Sequence, residues 1–279
     1  MIRTVIKYTD NKILCNDAEV FEISKQLFPG MYEIELNNYG QFDHFRALKT
    51  PKIFDLMPSC ELSNLKEYVD TFLSPEYASL CKTAGIMKKT GILLFGEAGI
   101  GKSNYVNYII NKGIKENEAC VFNIDNVNKL HALIPKIKEL RDIQDTLFII
   151  VFEEIDELIK QASSTEGVLK NFMDGINSVD NMLFIATTNY LDIIPKSLTN
   201  RPSRFKKVLE IKASDNVELM KEWLSKTYKV FIPDITKEEC ELMHEKCFNK
   251  TIDEIKHTLL DYKMDIHDVN KKPKMGFRK

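Results

Sequence analysis

The stretch Gly91-Ile-Leu-Leu-Phe-Gly96-Glu-Ala-Gly99-Ile-Gly101-Lys102-Ser103 sets a short apolar run against a glycine-rich turn that ends in a cation and a hydroxyl. Gly96, Gly99 and Gly101 let the backbone turn tightly, so that its N–H groups can point inward at an anion. Lys102 then places a cation on the outer phosphates, and Ser103 offers the hydroxyl that ligates magnesium in such loops. The next segment, Asn104 to Asn111 and closed by Gly113, predicts a helix whose positive N-terminus faces the same phosphates. A strand-type run before GxxxxGKS and a helix after it are the context a phosphate-binding loop requires. The candidate nucleotide contacts are therefore Gly96, Glu97, Ala98, Gly99, Ile100, Gly101, Lys102 and Ser103.

A chain of 279 residues with 44% hydrophobic content has enough apolar surface for a buried core and one or two small additional domains. No apolar run approaches the roughly 20 residues that span a bilayer, and the N-terminal MIRTVIKYTDNK lacks the apolar centre of a signal peptide. These features point to a cytosolic protein with no membrane partner. The abundance of Lys, Asn and Ile fits an AT-rich genome such as that of a virus or phage. The six cysteines contain no C-x-x-C pair, which suits reduced thiols better than a disulfide or zinc framework. Cys240, His244 and Cys247 lack a credible fourth ligand for a metal. A net charge of −2 gives no general attraction to nucleic acid or anionic membrane, so partners must be argued from local features.

Residues 1–60 alternate apolar and polar side chains in short runs, Thr4 to Tyr8 and Met31 to Leu36, broken at Pro29-Gly30, Gly40 and Pro51. They predict a small β-containing region suited to recruiting a partner. Leu62 to Leu73 has amphipathic helical spacing and leads into a nucleotide-binding region, 61–213. There, strand-like runs at Ala119–Ile124, Leu147–Phe152, Met182–Thr187 and Lys207–Ile211 alternate with helical stretches. Together with the run before the phosphate loop they predict an α/β fold, a five-stranded parallel sheet with helices on both faces. Beyond Ala213 the pattern is helical, giving a lid over 214–268. Asp215 can cap a helix through Tyr228, and Thr236 with Glu239 and Thr251 with Glu254 spell capping boxes. The terminal KKPKMGFRK, within a basic tail at 269–279, has little to pack and reads as a solvated end.

Leu147-Phe-Ile-Ile-Val-Phe-Glu-Glu-Ile-Asp156 is a buried-strand pattern that ends abruptly in acids. The C-terminal ends of parallel strands face the ligand crevice, so Glu153 and Glu154 should emerge beside bound phosphates. One acid can hold the metal and the next can orient an attacking water.

The ordered set GEAGIGKS, IIVFEEID, VLKNFMDGI, IATTN and NRPSRF followed by VLEI, spread over roughly residues 62–265, resembles the AAA+ ATPases and within them the AAA clade. The resemblance implies a P-loop AAA+ module that binds ATP and magnesium, with GEAGIGKS as Walker A and IIVFEEID as Walker B. It implies Ser103 and Glu153 at the metal, Glu154 as the catalytic acid, and Asn189 as sensor 1, which positions water. It further implies Arg201 and Arg204 as arginine fingers reaching the γ-phosphate of a neighbouring subunit, and hence a homo-oligomer, a hexameric ring.

Three departures stand out. Glu153 replaces the usual Walker B Asp, Glu97 and Ala98 replace the loop prolines, and the segment Asp125 to Pro135 lacks the aromatic-hydrophobic-Gly triplet of protein-threading relatives. Pro135 is expected to start a helix there, leaving Lys129, Leu130 and His131 as the candidate pore contacts. The favoured expectation is an ATPase that remodels a protein substrate. A clamp loader, helicase loader or replication initiator is the weaker alternative, since charge and motifs give little support for nucleic acid. A slow nucleotide-gated scaffold, silenced by Glu153, is the third.

Overall fold

The computed structural model describes residues 5–9, 12–17, 20–24, 26–53, 55–59, 61–175, 178–201, 203–248 and 250–271; for 5–24 and 265–271 it describes the backbone alone. The basic end at 272–279 and Pro202 lie outside the described residues. The chain forms two compact units, one comprising 1–54, 63–96 and 102–210, the other 55–62, 97–101 and 211–279.

The first unit opens with strands β1 (Val5–Thr9), β2 (Lys12–Asp17), β3 (Val20–Ser24), β4 (Gly30–Leu36) and β5 (Phe42–Leu48). Helices α1 (Leu62–Leu73) and α2 (Pro75–Ala84) lead to β6 (Lys89–Phe95), α3 (Lys102–Asn117), β7 (Cys120–Asn123) and α4 (Val127–Ile143). Then come β8 (Phe148–Phe152), α5 (Ile155–Gln161), α6 (Thr165–Asp174), β9 (Met182–Thr188), α7 (Lys196–Thr199) and β10 (Phe205–Glu210). The described strands form one sheet in the order β10-β6-β9-β8-β7-β4-β5-β1-β2-β3. The expected parallel sheet is there, and β4 adds to it in parallel on β7, while β5, β1, β2 and β3 continue it in antiparallel fashion.

All five residues of β8 and all seven of β9 are buried, as strands covered on both faces must be. The β4–β5 hairpin turns at Asn37, whose side chain accepts the N–H groups of Tyr39 and Gln41, and at Gly40, which has φ +73°. One hairpin face delivers Tyr32 and Phe45 into an aromatic cluster with Phe122, which seats the hairpin beside β7.

Two sequence expectations change. Gly113 does not close α3, which runs on to Asn117; a Cβ there would sit 2.5 Å from Ile149 Cδ1, so glycine serves the close packing of helix on strand. Pro135 does not start a helix but lies inside α4, which is capped by Asn126 accepting from the Lys129 N–H. The proline costs about 3 kcal/mol. Burial of Leu130, Leu133, Ile134, Ile137 and Leu140, at roughly 1.5–3 kcal/mol each, outweighs it.

Gly91, in the middle of β6, is irreplaceable for a steric reason: a Cβ would lie 2.4 Å from the carbonyl oxygen of Arg204, a backbone atom that cannot swing away. Gly91→Ala is expected to destabilise the protein by about 1–3 kcal/mol, the range for overpacking a tight interior. Thermal unfolding checks this, and an unchanged melting temperature would refute it.

The second unit is built on α8 (Val217–Phe231), α9 (Lys237–Cys247) and α10 (Ile252–Lys271). Asn216, not Asp215, caps α8 by accepting from the Leu219 N–H, and the helix runs past Tyr228 to Phe231. Trp223 donates its indole N–H to Asp55 O at 3.1 Å, tying the 55–62 segment to α8. Both capping boxes form, Thr236 with Glu239 and Thr251 with Glu254. Within this unit the crest of the phosphate loop meets the start of α10, where the Asp253 N–H donates to Gly99 O at 3.3 Å. Among the described residues no helix is long and apolar enough to cross a membrane.

Candidate nucleoside triphosphate site

After β6 the backbone passes through Gly96 (φ +151°), Gly99 (φ +75°) and Gly101 (φ +97°), a sequence of positive φ values that side chains beyond glycine rarely adopt. Helix α3 begins at Lys102, so Lys102 and Ser103 occupy its first turn, where unpaired N–H groups and the helix dipole favour an anion. Lys102 is only 9% exposed. Its Nζ donates to Gly96 O at 2.8 Å and to Asn189 Oδ1 at 2.6 Å, which links the loop to the residue following β9. Burial pulls the Lys102 pKa below the ordinary lysine value, and the nearby carboxylates of Glu154 and Asp156 oppose that shift.

The two acids occupy the turn after β8. Ser103 Oγ donates to Glu153 Oε2 at 3.4 Å, so the residues expected at the metal are adjacent. Desolvation pushes the Glu153 pKa up; the Ser103 hydrogen bond counters this and the charge of Glu154 adds to it. Both groups offer hard oxygen donors of the kind magnesium takes. Glu154 has φ 51° and ψ 54°, left-handed backbone that is unusual for a residue with a side chain. Its N–H is held by Thr187 Oγ1 at 3.0 Å, so the residue is fixed at the start of α5 with its side chain exposed. Lys102, Ser103, Glu153, Glu154 and Asn189 are thus gathered at the ends of β6, β8 and β9, neighbours in the sheet.

The two arginines separate. Arg204 is 5% exposed and makes a two-pronged ion pair with Asp174, Nε to Oδ2 at 2.9 Å and Nη2 to Oδ1 at 3.0 Å, while Nη1 donates to Ser197 O. Its guanidinium is thus engaged by Asp174 and Ser197 of its own chain. Burial would raise the Asp174 pKa, but the hydrogen bonds from Arg204 and Ser203 hold it below the usual carboxylate value. Arg201, by contrast, has a side chain 66% exposed and approaches Asp174 only at 3.8 Å. Both arginines border an open cavity of about 510 Å³ whose lining also includes Lys170, Lys196 and Asn200.

The suggested pore contacts fare differently again. Leu130, on the buried face of α4, is fully buried, and Lys129 pairs with Glu33 at 2.6 Å and Asp125 at 2.9 Å. Both are structural, because the segment is the first turn of a helix and not a loop; His131 alone is exposed.

Three participants escaped the sequence reading: Thr187, Asp156 and Asp174. The signals were polar residues inside otherwise apolar runs, as in IATTN, EEID and FMDGI.

A family model described as "ATPase family associated with various cellular activities (AAA)" matches residues 92–213. The chain is 29% identical over 231 residues to a putative cell division cycle ATPase of Plasmodium falciparum, a match covering 76% of this chain and 16% of that protein. It is 31% identical over 158 residues to the vesicular-fusion protein sec18 of Schizosaccharomyces pombe, covering 47% of this chain and 19% of the relative. A proteasome-activating nucleotidase of Thermococcus gammatolerans is 28% identical over 173 residues, covering 56% of this chain and 42% of that one. The chain therefore spans less than a fifth of the length of the first two relatives. The glycine loop, the strand-end acids and the ordered motifs all agree with the family match, which assigns residues 92–213 as an AAA domain.

Proposed function

We propose that this protein is a magnesium-dependent ATPase that works as a ring of identical chains and uses ATP turnover to remodel a protein partner. The observation that carries the reading is the convergence of Lys102, Asn189, Ser103, Glu153 and Glu154 on adjacent strand ends. Gly96 to Gly101 would wrap the phosphates with backbone N–H groups while Lys102 neutralises the outer ones. Ser103 and Glu153 would hold a magnesium ion, which when bound supplies further neutralisation of phosphate charge. Glu154 accepts a proton from the attacking water, and the Asn189 amide aligns that water. The remodelling role draws on relatives whose names describe vesicle fusion and proteasome activation.

Arg201 completes the site from a neighbouring chain. Its exposed guanidinium, next to a fully engaged Arg204, supplies transition-state charge in trans only when chains assemble. Ring closure is the symmetric way to satisfy every such interface.

Mixing tests this. Lys102→Ala chains keep Arg201 and lose the phosphate cation; Arg201→Ala chains keep the loop and lose the finger. Each preparation alone should be inactive, whereas co-assembled mixtures should regain partial ATPase activity at sites that pair an intact loop with an intact Arg201. No recovery despite demonstrated co-assembly would rule out the shared site.

A further inference from the structure

Between the strand-end acids and Asn189 lies a buried polar link that the reading above leaves without a task. Asp156, in the first turn of α5, is 2% exposed, and Thr188, the last residue of β9, is fully buried. Thr188 Oγ1 donates to Asp156 Oδ1 at 2.7 Å and accepts the N–H of Tyr190 at 3.0 Å. Those two bonds bracket Asn189, whose Oδ1 receives Lys102 Nζ. One residue earlier, Thr187 Oγ1 accepts the N–H of Glu154. Successive threonines at the end of one strand thus hold the backbone of the acid and the backbone that aims the amide.

A strand covered on both faces has apolar residues by default, and a carboxylate taken out of water is unfavourable unless its bonds do something an apolar pair cannot. Here the second oxygen, Oδ2, has Lys160 Nζ at 3.6 Å, so the charge is partnered while Oδ1 is left to the threonine. We propose that Asp156 is a positioning residue: through Thr188 it fixes the Asn189 backbone to the N-terminal turn of α5, so that Glu154 and Asn189 are held as one rigid pair around the attacking water. This rests on the roles given above to Glu154 and Asn189. It adds a residue that touches neither nucleotide nor water and sets how well the two that do are aligned.

The experiment compares steady-state ATPase kinetics with binding of a fluorescent ATP analogue in the full chain. Thr188→Val keeps the shape and removes the hydroxyl; Asp156→Leu removes the acceptor. Each is expected to lower kcat by about 10- to 100-fold, the size of effect that sub-ångström misplacement produces, with nucleotide affinity kept within about threefold. The double variant should lose little more than either single one, because both break the same link. Thr188→Ser and Asp156→Asn, which restore a donor and an acceptor, should recover most of kcat; a merely structural role would not give this split. If Thr188→Val does not fold, Thr188→Ala provides the same readout. Wild-type kcat in Thr188→Val or Asp156→Leu, a parallel loss of affinity, or no recovery with the conservative variants overturns the proposal. The underlying reading fails separately: in that case the wild type shows no ATP turnover, or Glu154→Gln turns over normally.

Discussion

Lys102→Ala should abolish measurable ATP binding, with an affinity loss of at least about 100-fold, equivalent to roughly 2.7 kcal/mol. Lys102 is the cation at the heart of the loop, 9% exposed and already partly stripped of water, and burial has lowered its pKa. A desolvated ammonium meets phosphate through a low local dielectric, where each charge-assisted hydrogen bond is stronger than at the surface. Lys102 Nζ donates to Gly96 O and Asn189 Oδ1, at 2.8 and 2.6 Å, so the side chain is held in place at the loop. Alanine removes the charge and leaves Asn189 without this partner. Titration calorimetry on the folded variant measures the effect, and a Kd within about threefold of wild type would show that the loop binds by its backbone alone.

Glu154→Gln should do the reverse, retaining ATP binding while kcat falls by about 100- to 10,000-fold, the contribution of a positioned general base. The substitution exchanges a carboxylate for an amide of the same size, and the left-handed backbone at φ 51° is held by Thr187 Oγ1 rather than by the side chain. Folding and loop geometry therefore stay as they are, and only proton acceptance is lost. A chain that binds ATP without hydrolysing it should also hold its protein partner, which makes this variant a reagent for capturing the substrate. If Glu154→Gln hydrolyses ATP at the wild-type rate, the base lies elsewhere, and Glu153, whose carboxyl is partly desolvated beside Ser103, is the next residue to test.

Features decided within a few residues, or by burial alone, were legible in the sequence. Glycine spacing at 96, 99 and 101 demands positive φ whatever the rest of the chain does, and all three residues have it. The capping boxes at Thr236 and Thr251 close over three residues. Continuous apolar runs read correctly as the doubly covered strands β8 and β9, and the acids after Phe152 emerge at the C-terminal edge of the parallel strands, where sheets of this kind place their ligands.

Tertiary structure decided what depends on partners distant in the chain. Arg201 and Arg204 look equivalent in RPSRF, yet Asp174, thirty residues before Arg204, claims one guanidinium and leaves the other exposed. Gly113 and Pro135 read as helix boundaries by local propensity, but packing against Ile149 and burial of the apolar face of α4 overrode them. Likewise, the threonines of IATTN gained their roles only when β9 was placed beside β8. Propensity and pattern act over a few residues and sum to small energies, so they specify elements and their ends. Which polar group meets which across the sheet is set by strand order, and strand order is a property of the whole folded chain.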